Sequence, residues 1–422
     1  MRYESIRVLL AIAAEQDLEM YKFDVKTAFL YGDLDEDIYL EQPPGFETEG
    51  EKLYCKLHKS LYGLKQSPRC WNRRFIIFLK KFKFVCIDAD KCIFVGFIFG
   101  FIIYLALYVD DGLLICKSKL AIEKVLSELK KEFEITSGDA DEFVGMEISR
   151  DREKRTIKIS LAAYIRKLLA KFGMSDANPS STPAEPGLYL RRNNGSERHN
   201  FPYREAVSSL LFAARVSRLD IEYAVNYVSQ FLDDHGQDYW QAVKRIMRYL
   251  IGTCEFGIVF GSSGSECDDK LKGFTDADFA GCVETRRSRS GYVFLLNGAP
   301  VSWLSQRQPI VSLSTTEAEY IALTHGTREA VWLRRMLLDL NVHFTTLPMY
   351  VDNKSAINLA HNSEYHKRTK HIDVRFHYVR EVVESKQIKI EYIQTSDQLA
   401  DLFTKPLPKV QFYKLREEMN IN

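Results

Sequence analysis

An apolar run from Ile93 to Val109 (IFVGFIFGFIIYLALYV) stops on paired aspartates, Asp110 and Asp111, followed by Gly112 and a second apolar stretch, Leu113 to Cys116. Its wealth of Ile, Val, Phe and Tyr predicts two strands, and the Asp-Asp-Gly turn between them sets two carboxylates at the lip of a sheet. Gly96 and Gly100 interrupt the run and Asp110 ends it, so a buried strand pair is expected rather than a membrane span. Like charges so close repel, and a divalent cation between them relieves the repulsion. Alone, Tyr108 to Asp111 is equally readable as a plain Asp-Gly hairpin turn, whose aspartates merely suit the turn's backbone angles.

A second segment shifts that balance. Tyr21 to Tyr31 (YKFDVKTAFLY) reads as a strand with Asp24 inside it, leading to an acidic loop from Gly32 to Asp37. An aspartate in such a strand is costly to bury unless paired or bound to a cation. Asp24, Asp110 and Asp111 together offer the oxygens that two Mg²⁺ ions need in a phosphoryl-transfer site. Between them lies Leu61 to Pro68 (LYGLKQSP), a punctuated turn before a helix-like stretch from Arg69 to Lys81. Formal net charge is only +1, so attraction for nucleic acid must be local. Lys56, Lys59, Lys65, Arg69, Arg73, Arg74, Lys80, Lys81 and Lys83, interleaved with Tyr62, Trp71, Phe75 and Phe78, could supply it. The aromatics are expected mostly in the core, with some of the cations tracking phosphates.

The later chain carries another set of acids. Ser175 to Ser196 and Gly261 to Asp269 are linker-like in composition, and Tyr203–Arg218, Ile221–Leu232 and Tyr239–Leu250 show apolar faces at helical spacing. Beyond them, Gly273 to Asp278 ends a strand, and Ser290–Phe294 and Pro300–Ser305 form a hairpin about Asn297-Gly298. Ser312 to Tyr320 opens a helix running to near Leu340; Met349 to Asn353 passes from strand to helix; Ser396 to Asp401 starts a short terminal helix. Acids at strand ends and helix starts suit a two-metal nuclease, and Asp276, Glu317, Asp352 and Asp401 form the ordered set. Singly, an acid such as Glu317 or Asp397 is an ordinary first-turn helix residue.

The order FDVKTAF, LYGLKQSP, YVDD, FVGMEIS, PYREAVSSLLFAA and KRIMRYLIGT resembles the polymerase core of copia-type retrotransposon Pol polyproteins. TDADFAG, STTEAEYIAL, VDNKSAINLA and QLADLFTKPL resemble the RNase H domain of the same polyproteins. The resemblance implies an α/β and α+β multidomain chain: an incomplete polymerase palm, an antiparallel sheet with helices, and the start of a thumb over 1–174. A linker and helical connection over 175–262 and an RNase H-like α/β domain over 268–410 would follow. It implies that Asp24, Asp110 and Asp111 hold two metals at the first site, and Asp276, Glu317, Asp352 and Asp401 two at the second, Mg²⁺ with Mn²⁺ as the alternative. Glu317 is preferred to Glu319 because it matches the first acid after the paired threonines. Phe29 would reject a ribose 2′-hydroxyl, with Lys65, Gln66 and Tyr108 beside template and nucleotide. The implied partners are RNA template, DNA primer, RNA–DNA hybrid and dNTPs, with no membrane, in a cytoplasmic virus-like particle or the nucleus; the oligomeric state is left open.

Three features qualify the expectation. At 422 residues the chain is long enough for two or three domains, and its eight cysteines show no zinc spacing, which argues for reduced thiols. No histidine stands in EYIQTSDQL before Asp401, unlike cellular RNases H; His371 and His377 lie earlier, within a basic helix-like stretch from His366 to Arg380 that would grip a hybrid. The chain begins at Met1 with a helix expected from Ile6 to Gln16, so the fingers of a copia-type polymerase are taken as absent. The resulting expectation is a reverse transcriptase joined to RNase H. The alternatives are RNase H activity alone or a non-catalytic nucleic-acid-binding remnant.

Overall fold

Arg7 lies in the first helix, α1 (Tyr3–Glu15), and is 1% exposed. Its guanidinium donates to the carbonyls of Val301 (2.8 Å), Arg215 (2.8 Å) and Val216 (3.1 Å) and lies 3.8 Å over the Trp303 ring. A buried guanidinium needs such acceptors, and they come from residues far along the chain. In this computed structural model, α1 therefore belongs with later residues. One compact unit is Met1 with Leu18–Val144; the other is Arg2–Asp17 with Gly145–Asn422. The sequence places a first boundary at 174/175 with the opening helix in the palm, whereas the compact units divide at 144/145 with α1 in the second. The structure describes all residues except 49, 51–52, 191–200, 234–235, 262–269 and 362–372, and the side chains of 373–376. The break expected at Gly261 to Asp269, the end of the Ser175 to Ser196 linker and His366 to His371 thus fall largely or wholly outside the described residues.

The first unit runs β1 (Glu19–Val25), β2 (Tyr39–Glu41), β3 (Tyr54–Lys56), α2 (Ser67–Lys81), β4 (Val85–Cys86), β5 (Ile93–Ile98) and β6 (Phe101–Tyr108). β7 (Asp111–Cys116), α3 (Lys119–Glu132), β8 (Ile135–Asp139) and β9 (Glu142–Phe143) follow. Its main sheet is antiparallel, in the order β4-β5-β6-β7-β1-β8. The apolar run is not one strand, as the sequence suggested, but two. Phe99 (φ 51°) and Gly100 (φ 84°) both take left-handed angles and close a tight hairpin. A phenylalanine there defies the usual turn preference, so the composition gave no sign of it. Trp71, Phe75 and Phe78 of α2 pack with Phe23, Leu114 and Phe133 in one apolar cluster. Each such side chain contributes about 1.5–3 kcal/mol by leaving water.

In the second unit, β10 (Met146–Asp151), β11 (Thr156–Ser160) and α4 (Ala162–Lys171) precede three helices, α5 (Tyr203–Val216), α6 (Glu222–Val228) and α7 (Gln237–Gly252). Those helices match the expected periodic segments. After β12 (Gly257–Phe260) come β13 (Leu271–Asp278), β14 (Arg289–Leu296), β15 (Ala299–Arg307), α8 (Thr315–Asp339) and β16 (Leu347–Val351). α9 (Lys354–His361), α10 (Asp373–Glu384), β17 (Ile388–Tyr392) and α11 (Lys409–Glu418) complete it. The sheet order is β15-β14-β13-β16-β17: antiparallel through the first three strands, parallel from β13 to β17. Asn297 (φ 52°) and Gly298 (φ 81°) turn β14 into β15, the hairpin their dipeptide predicted. The result is the α/β and α+β multidomain architecture expected. No helix among the described residues is long and apolar enough to cross a membrane.

Candidate carboxylate sites

In the first unit, β1 and β7 run side by side with Asp24 opposite Asp111, and Tyr108 faces Asp111 from β6. Val109 takes φ 59° to make the turn, and two bonds fix it there. Trp71 Nε1 donates to the Val109 carbonyl (2.6 Å), and Val25 N to that of Asp110 (2.9 Å). The glycine after the aspartates is required by packing, since a Cβ on Gly112 would fall 2.1 Å from the Phe23 ring. The Asp111 carboxyl is pushed above its ordinary value by burial, then by Asp110 and Asp24.

Phe29 sits on a 3-10 turn (Ala28–Tyr31), its ring centroid 4.7 Å from that of Tyr62. The Tyr62 hydroxyl is pushed up by burial and then by Asp110 and Asp24. Lys65 is exposed, Tyr108 is 43% exposed, and Gln66 Nε2 donates to Glu36 (3.3 Å). Of the basic series, Lys56 pairs with Asp37, Lys59 with Asp33, Arg73 with Asp35, and Arg74 and Lys81 with Glu132. The acidic loop therefore pairs with three of the nine cations expected to track phosphates, and Glu132 of α3 with two more.

The second site is tighter. β13 and β16 are parallel neighbours with Phe274 beside Tyr350, so Asp276 and Asp352 each follow two residues beyond that pair. α8 packs across β13 and supplies Glu319. Its close approach depends on Gly326, two turns further along, where a Cβ would meet Thr275 Cγ2 at 2.4 Å. Ligand oxygens of Asp276, Glu319 and Asp352 all lie within 4.8 Å of one another, the sole such group of three or more acids, histidines and cysteines among the described residues. Asp24, Asp110 and Asp111 do not converge in this way.

Glu319 is 7% exposed, and its Oε2 is buried without a hydrogen-bond partner. Burial, then Asp276 and Asp352, hold its carboxyl well above the usual range. Asp352 is raised by burial and Asp276, with the Thr395 hydroxyl donating to it (2.8 Å). Asp276 accepts from the Thr404 hydroxyl. Asp401 is pushed up to about 8 by burial and then by Asp276, and Lys405 Nζ lies 2.7 Å from its Oδ1. Asp278, on the same strand face as Asp276, is pushed to about 6, again by burial first.

Glu317, the acid the sequence puts forward, is not among the three that converge. The Ser314 hydroxyl accepts from Glu317 N (3.2 Å), and Glu317 Oε2 accepts from Leu313 N (2.7 Å). Ser314 and Glu317 thus both cap the helix start, with Glu317 reaching back to Leu313 N, one residue beyond the N-cap donor of an S-x-x-E box. Two residues on, Glu319 points about 200° around the helix, toward the sheet. The S-T-T-E spacing was the signal that should have assigned Glu317 to the cap and Glu319 to the cluster. Two buried carboxylates and the half-buried Asp352, with an orphaned oxygen on Glu319, fit a hard, oxygen-seeking divalent cation. The group contains no histidine.

Residues 1–186 match the family "Reverse transcriptase (RNA-dependent DNA polymerase)". The chain is 44% identical to the retrovirus-related Pol polyprotein from transposon TNT 1-94 of Nicotiana tabacum, over 99% of this chain and 32% of that protein. It is 33% identical to the putative transposon Ty5-1 protein YCL074W of Saccharomyces cerevisiae, over 72% of this chain and 99% of that one. The chain thus spans about a third of the Nicotiana relative's length. Among solved structures, a foamy viral protease-reverse transcriptase in complex with dsDNA superposes at 12% identity and a TM-score of 0.43, covering 89% of this chain and 68% of that one.

Proposed function

Because the chain belongs to the copia-type retrotransposon Pol polyproteins, we propose that its second unit hydrolyses the RNA strand of an RNA–DNA hybrid and its first extends a DNA primer on an RNA template. The nuclease reading rests on one observation above all, the converging Asp276–Glu319–Asp352 cluster with its buried, unpartnered Glu319 oxygen. Bound divalent cations, Mg²⁺ with Mn²⁺ as the alternative, would stabilise charge on the scissile phosphate and make water a better nucleophile. The protein's part is orientation. Thr404 and Thr395 fix Asp276 and Asp352, the cap at Ser314 fixes the start of α8, and Glu319 offers the oxygen that no protein group satisfies.

At the first site, Asp24, Asp110 and Asp111 would hold the ions about which a primer 3′-hydroxyl meets the α-phosphate of a dNTP. The Phe29 ring, backed by Tyr62, would lie against the sugar and exclude a 2′-hydroxyl. Gln66 and Lys65 would lie along the template, with a virus-like particle as the setting. Of the two activities the nuclease is favoured, since its carboxylates already converge.

The decisive experiment incubates purified protein with Mg²⁺ and a labelled hybrid. The RNA strand should be cut, and Asp352→Asn should abolish the cutting. Folded wild-type protein that leaves the hybrid intact would refute the reading.

A further inference from the structure

The short turn Asp401–Lys405 concentrates three functions. Thr404 N and Lys405 N both donate to the Asp401 carbonyl (3.2 and 3.3 Å), which brings one acid, one hydroxyl and one ammonium to the same edge of the nuclease cluster. Asp401 contributes a carboxylate, Thr404 holds Asp276, and Lys405 places Nζ 2.7 Å from Asp401 Oδ1. The pair is lopsided. The Asp401 side chain is 5% exposed and cannot leave, whereas that of Lys405 is 37% exposed on a flexible four-carbon stem. Asp276 and Asp352 also act on the Lys405 charge, so it answers to the whole cluster and not to Asp401 alone. The converging group of Asp276, Glu319 and Asp352 stands without Asp401. The geometry therefore distinguishes the three converging carboxylates from Asp401, the acid that Lys405 contacts directly.

Building on the nuclease reading, we propose that Lys405 is a tethered counter-cation that occupies the Asp401 side of the site until a backbone phosphate of the hybrid draws its ammonium away. An ammonium and a divalent cation repel at such range, so the two compete for Asp401. The free protein then takes up one divalent cation readily, at Asp276, Glu319 and Asp352. A second is admitted with substrate. Lys405 is in this sense a positioning residue, which links occupancy of the site to the arrival of a phosphodiester strand.

Mn²⁺ titrations followed by electron paramagnetic resonance test the proposal in the full chain carrying Asp110→Asn and Asp111→Asn, which silence the other carboxylate site. One tight and one weak ion are expected with Lys405 present. Lys405→Met should tighten the weak ion by about tenfold or more, and Lys405→Arg, which keeps the charge, should not. A hybrid with a 2′-O-methylated, uncleavable RNA strand should tighten the weak ion when Lys405 is present but add little to Lys405→Met. If thermal melting shows that Lys405→Met does not fold, Lys405→Gln takes its place. Equal second-ion affinity with and without the lysine would overturn the proposal and reduce the contact to a structural ion pair. An absence of any bound ion in every variant would instead refute the nuclease reading on which it rests.

Discussion

Both candidate sites set aspartates at the ends of neighbouring strands, yet they are built to different depths. Around Asp110 and Asp111 the acids sit on a turn at the sheet's lip, half-buried, with the turn backbone pinned by Trp71 and Val25. Around Asp276 a helix crosses the sheet and adds Glu319 from above, so the carboxylates are enclosed and converge before any cation arrives. Enclosure is costly for unpaired charge, and the protein offsets that cost with threonine hydroxyls and with Lys405. A lip site leaves more of its geometry to substrate; an enclosed site carries it in the fold.

The sharpest way to break this contrast is at Glu319. Glu319→Gln should lower hybrid cleavage by about a thousandfold, roughly 4 kcal/mol of transition-state stabilisation, with primer extension unchanged. Unchanged cleavage would return the ligand role to Glu317.

Burial also predicts how the second unit responds to pH. Glu222 in α6 is 5% exposed; its Oε1 accepts from Asn226 (2.6 Å), and its Oε2 is buried without a hydrogen-bond partner. Burial pushes its carboxyl to about 7, against the opposing pull of Arg215 and Asn226. The folded state therefore keeps a proton that the unfolded chain has already released. The stability it contributes is complete below the unfolded value near 4.5 and is lost as pH rises through about 7. Across that window the loss is roughly 3 kcal/mol, and Glu222→Gln should flatten it in urea titrations at pH 5 and pH 8. An unaltered slope would show that other buried acids dominate.

Gly112→Ala should loosen the lip site alone. The Phe23 ring must yield, at a cost of about 1–3 kcal/mol, seen as faster amide exchange in β1 and β7 while hybrid cleavage stays intact. Equal loosening in β13 and β16 would show that the two units share one cooperative transition. The smallest effect belongs to Glu317→Gln, which should cost about 1 kcal/mol of stability through the α8 cap and leave cleavage unchanged.

Most elements were legible because their signals are local. The Asn297-Gly298 hairpin, the helical faces from Tyr203 to Leu250 and the acid-ended strands at Asp276 and Asp352 all follow from residues close in sequence. What escaped depended on distant partners or on a clash of local rules. Phe99 adopts a glycine-like angle because strand pairing on both sides demands a tight turn. Glu317 and Glu319 are separated by helix phase, legible in principle through S-T-T-E but masked by the similarity of the two acids. Lys405 gave no signal, since its significance lies in carboxylates brought from other strands.

Arg7 carries the same lesson into the order in which the protein is made. The Val301 carbonyl that accepts from it is translated 294 residues later, at about 5–20 residues per second a delay of roughly 15–60 s on the ribosome. Over that interval α1 emerges with an apolar face and a cation that gains its Arg215 and Val216 acceptors first and its Val301 acceptor last. The helix must wait in solution or on a chaperone, and its own packing is complete only once Val301 has been synthesised.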